Sequence, residues 1–319
     1  MSSIMKPKEL LSVTRANVKV LAHILEIIPV GTFSQIMATT PNSGIKVEEV
    51  LEAVYARWRV SRHVQDSLKG TDWEKKMCHM RDQGCCETCW AVVVSELISA
   101  LLFVEGIDKE YTEYSIQELV DFADPSKAGT HKDRKHYCYT LSIGKGLDYV
   151  LKHGLQKAIH RKYVGCRPKS EIPARSTVDL AHITRVDRLS FPEALIRLKR
   201  QPIGASLYIF TPDYVNTKGG VYRGPMEKES KLEGVHAVSI LGVTEEKGEM
   251  LFKVKSTHGD RVGVDGYLKV SMEVMLVQIP KKGTLPDGKF EKPTPLIHRF
   301  CCPTIIPKAK GESSAMQCD

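Results

Sequence analysis

Apolar residues crowd one stretch of the chain above all others. From Ala91 to Val104, Val92, Val93, Val94, Leu97, Ile98, Leu101, Leu102 and Phe103 are interrupted only by Ser95, Glu96 and Ser99. A run that is apolar nearly all round predicts a helix buried inside the fold, and Gly106 marks its stop. Upstream, Lys8 to Ile28 carries helical spacing that must end before Pro29-Val30-Gly31. A polar loop from Thr39 to Gly44 follows, and Val50, Leu51, Val54, Tyr55 and Trp58 predict a second helix over 47–65. Downstream, Ser115-Ile116-Gln117-Glu118 has the capping-box pattern that opens a short helix through Leu119 and Val120. Ile143, Leu147, Val150 and Leu151 predict a helix over 143–152 closed by Gly154, and Ser190, Pro192 and Glu193 open another that runs to Arg200.

The second half changes period. Ile203 to Ile209, Val235 to Val243, Leu251 to Lys255 and Tyr267 to Val270 are short, rich in β-branched or aromatic residues, and parted by glycines, which predicts strands. Helices first and strands later predict an α+β fold. Beyond Pro280, with Pro286, Pro293, Pro295, Pro303 and Pro307 and little periodicity, the expectation is a loosely ordered tail. The domain boundaries that follow are a helical extension over 1–70, a main domain over 71–278 and the tail over 279–319.

Composition narrows the function classes. With 319 residues, 42% of them hydrophobic and 26% charged, the chain has the makeup of a soluble globular protein. The net charge of +8 is spread without a run of five or six basic residues, so neither a nucleic-acid nor a membrane partner is expected. No uninterrupted apolar core of signal-peptide or transmembrane length occurs, and a cytoplasmic chain is expected. In that compartment most of the nine cysteines would be reduced thiols.

Two residues then stand out. Cys89 falls at the first turn of the buried helix, where free backbone N–H groups and the helix dipole favour an anion. A thiol pKa of about 8.5 can drop to about 3.5–7.5 in such a place, which would make Cys89 a nucleophile. His236 is the one titratable residue in the apolar strand Val235-His236-Ala237-Val238-Ser239-Ile240-Leu241-Gly242, and histidine is suited to hold a thiol as thiolate and to return the proton. A metal reading of Cys78, His79, Cys85, Cys86 and Cys89 lacks a second matched pair, because Cys301 and Cys302 are adjacent. No βαβ pattern precedes Cys86-x-x-Cys89 to suggest a redox pair. No cofactor and no metal are expected.

The octet Gln83-Gly84-Cys85-Cys86-Glu87-Thr88-Cys89-Trp90 resembles the nucleophile segment, Q-G-x-C-x-x-C-W, of the papain-like cysteine peptidases, the papain and cathepsin type. Ser115 to Asp121 resembles the family's S-x-Q-E-L-V-D, and the His236 strand its x-H-A-V-x-x-x-G, 147 residues after Cys89. The resemblance implies a helical lobe facing an antiparallel β lobe, a monomer, and hydrolysis of a peptide or protein substrate by Cys89 and His236, with Gln83 as oxyanion donor. It places Trp90, Ser206, Gly234 and Ala237 along the substrate cleft, and it implies a lysosomal, vacuolar or extracellular setting.

The chain is a divergent member of that pattern. Ser256 stands where an Asn orients the histidine, and His258 where a Trp shields it. Glu87 lies beside the nucleophile, and Tyr139-Thr140-Leu141 replace a glycine pair that meets the substrate backbone. These departures imply reduced activity, with a non-catalytic binder of peptide or protein as the alternative. In the family a cysteine at the Cys138 place bridges one at the Cys86 place, so the resemblance allows a Cys86–Cys138 disulfide. Phe122 and Met226 occupy two other half-cystine places, as suits a compartment where disulfides do not form.

Overall fold

A computed structural model describes residues 67–84, 86–129, 137–227, 229–272, 276–277 and 294–306. The helices expected over 8–28 and 47–65 lie outside the described residues. At the centre is helix α1 (Cys89–Val104), with every residue from Trp90 to Leu102 buried, as a run without a polar face requires. Helix α2 (Ile116–Phe122) and helix α3 (Ile143–His153) pack against it. Gly146 permits that approach, since a Cβ there would lie 2.8 Å from Val94 and 3.2 Å from Trp90. Gly154 ends α3 at φ +72°, a conformation that glycine adopts without strain. The Ser115 cap forms only half the expected box. Its Oγ accepts from the Glu118 N–H at 3.0 Å, while the Glu118 carboxylate turns inward to the Gln156 N–H, Tyr149 and Arg175.

Beyond α3 come β1 (Leu155–Gln156), β2 (Leu180–Ala181), β3 (Arg185–Leu189) and α4 (Phe191–Leu198), the last opened by a complete Ser190–Glu193 capping box. Then follow β4 (Ile203–Thr211), the one-turn α5 (Asp213–Asn216), β5 (Val221–Tyr222), β6 (Lys231–Glu246), β7 (Glu249–Lys255) and β8 (Tyr267–Ser271). The pairs β9 (Leu276–Val277) with β10 (Thr294–Pro295), and β1 with β2, form two small sheets.

The last strand, β11 (Ile297–Thr304), corrects the expected loose tail. It is inserted in the seven-stranded sheet, whose order is β3-β11-β4-β6-β7-β8-β5, and it pairs antiparallel with both β3 and β4. Ile297, Phe300, Cys301 and Cys302 are buried there, and that apolar burial outweighs the surrounding prolines. The main fold therefore runs to Thr304.

Two cores result. One joins α1, α2 and α3; the other joins β4, β6, β7 and β8 with α4 and β11. Helix α1 lies against β6 at their seam. This is the α+β, two-lobed layout expected. Among the described residues no helix is long and apolar enough to cross a membrane.

Candidate active site

The head of α1 brings Cys89 to β6. The backbone amides of Ala237, of Trp90 and of Cys89 itself each act to lower the pKa of its thiol. Those amides favour a thiolate, yet the surrounding protein strips solvent from the group, and the Glu87 charge adds to the penalty. The net result is a Cys89 pKa raised above its ordinary value. This direction is opposite to the acidic thiol expected from a helix start, and loss of solvent is its largest cause.

His236 lies one position before Ala237 on β6 and is 2% exposed. Burial, with the neighbouring His258 as a second cause, pulls its pKa well below the ordinary imidazole value. Both shifts act in favour of the uncharged forms, thiol and imidazole.

Imidazole Nε2 lies 3.3 Å from Ser256 Oγ and 3.4 Å from Thr257 Oγ1. Two neighbouring hydroxyls, Ser256 and Thr257, thus face the same ring nitrogen. Thr257 Oγ1 also donates to Gln83 Oε1, and the Gln83 N–H bonds the Thr257 carbonyl at 2.8 Å. The loop that holds Gln83 is therefore tied to the strand end that orients His236. Gln83 Nε2 gives one hydrogen to the Cys86 carbonyl at 2.6 Å and carries a second.

A second chain of hydrogen bonds leaves Ser256. Its hydroxyl is 2.8 Å from Tyr214 OH, which is 3.2 Å from His258 Nδ1. The His258 ring stacks on His236 with centroids 4.1 Å apart and planes at 14°, and so covers one face of that imidazole. Unlike a Trp, His258 can carry a proton. Its pKa is lowered by burial and then by Arg261.

Of the residues expected along the cleft, Ser206 and Ala237 face each other across β4 and β6, and Gly234 pairs with Ile209 on the same two strands. Trp90 is a correction. It is 1% exposed, donates its indole N–H to the Tyr139 carbonyl at 3.1 Å, and packs on the Tyr139 ring, so it supports the site from within the core. Cys86 and Cys138, the pair for which the resemblance allows a bridge, are free thiols here and share one cluster with Cys166.

Sequence reasoning missed Tyr214, Thr257 and Cys166. Thr257 had a signal, a second hydroxyl next to Ser256. Tyr214 and Cys166 had none, since each arrives from a distant segment.

Comparison with known proteins agrees with this geometry. A profile described as papain family cysteine protease matches residues 68–286. The chain is 27% identical over 253 residues to Protein HEAT-INDUCED TAS1 TARGET 4 of Arabidopsis thaliana, which covers 67% of this chain and 86% of that protein. It is 28% identical over 219 residues to cathepsin R of Mus musculus, which covers 64% of this chain and 60% of that protein. Among solved structures, the bromelain protease of Ananas comosus in complex with the E64 inhibitor superposes with a TM-score of 0.52 at 16% identity, over 74% of this chain and 98% of that one.

Proposed function

The chain belongs to the papain family of cysteine proteases, and from that premise we propose that it is a cysteine-type endopeptidase of restrained activity. The observation that carries the reading is the meeting of Cys89, at the head of α1, with the His236 strand, beside a Gln83 amide that keeps one hydrogen free. In this reading His236 Nε2–H is held by Ser256 and Thr257, which leaves Nδ1 to take the proton of Cys89. Sγ attacks the peptide carbonyl, a C–S bond forms, and the oxygen gains charge beside the Gln83 amide. The proton then passes from Nδ1 to the leaving nitrogen as the C–N bond breaks, and water hydrolyses the thioester.

A pair shifted toward its uncharged forms restrains this chemistry. Each turnover must move the proton at the moment of attack, where a ready thiolate would need no such step. The substrate is a peptide or protein, and the chain acts as a monomer. A second reading, a relative that binds peptide without cleaving it, is favoured by that same raised thiol and by Leu141, which stands in place of one of the glycines that meet the substrate backbone in the family.

A peptidyl epoxide separates the two. An active site consumes one equivalent on Cys89, located by peptide mapping, while slow and equal modification of every accessible cysteine would leave only the binder.

The paired hydroxyls give a further expectation. Ser256→Ala removes one acceptor and should slow epoxide labelling of Cys89 by no more than about tenfold, since Thr257 remains. Ser256→Ala with Thr257→Val removes both and should cost about 10²-fold or more, within the range that base positioning supplies. Equal rates for the single and double variants would show that Thr257 has no part in orienting His236.

A further inference from the structure

Three thiols from three separate segments meet beside the loop that leads to Cys89. Cys86 comes from that loop, Cys138 from the approach to α3, and Cys166 from the connection between β1 and β2. Their Sγ atoms all lie within 4.8 Å of one another, and all three are free. Cys138 is buried and the other two are half-buried.

Each segment is fixed at or next to its cysteine. Gln83 Nε2 donates to the Cys86 carbonyl, the Trp90 indole to the Tyr139 carbonyl at 3.1 Å, and Gln117 Nε2 to the Gly165 carbonyl at 3.0 Å. Tyr163 OH lies 2.9 Å from Thr88 Oγ1, which joins the Cys166 loop to the head of α1. Gly165, whose φ of +84° favours glycine, brings this loop within ordinary van der Waals reach of Cys86, since a Cβ there would lie 3.8 Å from Sγ. The cluster is preorganised by its surroundings.

We propose that Cys86, Cys138 and Cys166 bind one thiophilic closed-shell cation, zinc(II) or copper(I). Bonds of about 2.3 Å place tetrahedral sulfurs about 3.8 Å apart, so closing the cluster on an ion needs a movement of only about 1 Å. Thiolates are the soft donors that select these two ions. Each sulfur gives a lone pair to the ion and the three thiol protons leave to solvent, so uptake releases protons. Among the described residues no fourth His, Asp or Glu joins the set. Zinc would therefore keep one position for water or an anion, whereas copper(I) is satisfied by three sulfurs. The ion would fix the backbone that accepts from Gln83, three residues before Cys89. The site stands independently of whether Cys89 cleaves peptides.

The test is titration of the reduced full chain under argon, with Zn²⁺ against a chromophoric chelator and with Cd²⁺ as a spectroscopic probe. One equivalent should bind, with a thiolate-to-cadmium charge-transfer band. Cys166→Ser should abolish that band and weaken zinc by more than the about 10–100-fold that loss of a merely supporting residue costs. Cys138→Ser should do the same, but the partly exposed Cys166 is the safer variant, with far-ultraviolet circular dichroism to confirm its fold. Cys89→Ser and Cys302→Ser should bind as the parent does. No saturable binding by the reduced chain, or undiminished binding by Cys166→Ser, overturns the site. Either result leaves epoxide labelling of Cys89 untouched, so the two readings fail separately.

Discussion

Replacing His236 with alanine should lower peptide hydrolysis, and epoxide labelling of Cys89 with it, by about 10²–10⁴-fold, the range that a positioned acid–base group supplies. The effect should be near the upper end because Cys89 does not ionise unaided: its pKa stands above the ordinary 9.0. The pH profile carries the sign of the same argument. Catalysis requires a neutral His236 and a protonated Cys89. His236 lies well below its ordinary 6.5, so the acid limb should fall well below that pH and the basic limb above pH 9. A plateau from 6.5 to 9 is expected, and the alanine variant should lose the acid limb along with its activity. A limb centred near 6.5 would show that His236 is not buried as described.

Stability should follow the same group. Because the folded pKa is depressed, His236 contributes in full above its unfolded value of about 6.5, and the contribution is lost as pH falls through the folded value. The groups packed on it are His258, Ser256, Thr257 and Tyr214, of which only His258 titrates in that window. Between those two pKa values each pH unit costs about 1.4 kcal/mol through this one group. Denaturant midpoints measured against pH should flatten in His236→Ala.

What could be read from the sequence was what depends on neighbours along the chain. The helix from Cys89, the caps at Ser115 and Ser190, the Gly154 stop and the His236 strand are local patterns, and each was found near its place. Strand β11 was hidden because its burial is conferred by β3 and β4, which lie about a hundred residues away, while Pro295 and Pro303 read as punctuation. The acidity of Cys89 failed for a similar reason. A helix start is visible in sequence, but the partial burial that raises the thiol pKa comes from segments distant along the chain. Trp90 followed the octet into the core because the helix it opens is buried on every side.

Glu96 should prove the costliest single position in that seam. It lies two turns along α1 from Cys89, and its carboxylate accepts from Lys255 Nζ on β7 at 2.6 Å and from Ser239 Oγ on β6 at 3.2 Å. Lys255 is fully buried and also donates to the Cys78 and His79 carbonyls. Burial pulls the Lys255 pKa down, but Glu96 and Cys78 more than offset that, so the ammonium stays charged. Its stabilisation is complete below the unfolded value of about 10.4 and lost only as pH rises through the folded one.

Glu96→Leu leaves that charge buried without its partner and should cost about 3–5 kcal/mol in equilibrium unfolding. Adding Lys255→Met should recover most of the loss, since an apolar pair avoids desolvating either ion. A cost under about 1 kcal/mol for the single variant, or no recovery in the double, would mean that the pair does not clamp helix to sheet. The clamp also sets register. Ser239 is three residues from His236 on β6, so the bond from Glu96 fixes how far the head of α1 reaches along that strand. In the recovered double variant the charge problem is gone but the register bond is missing. It should therefore fold stably and still label Cys89 more slowly than the parent.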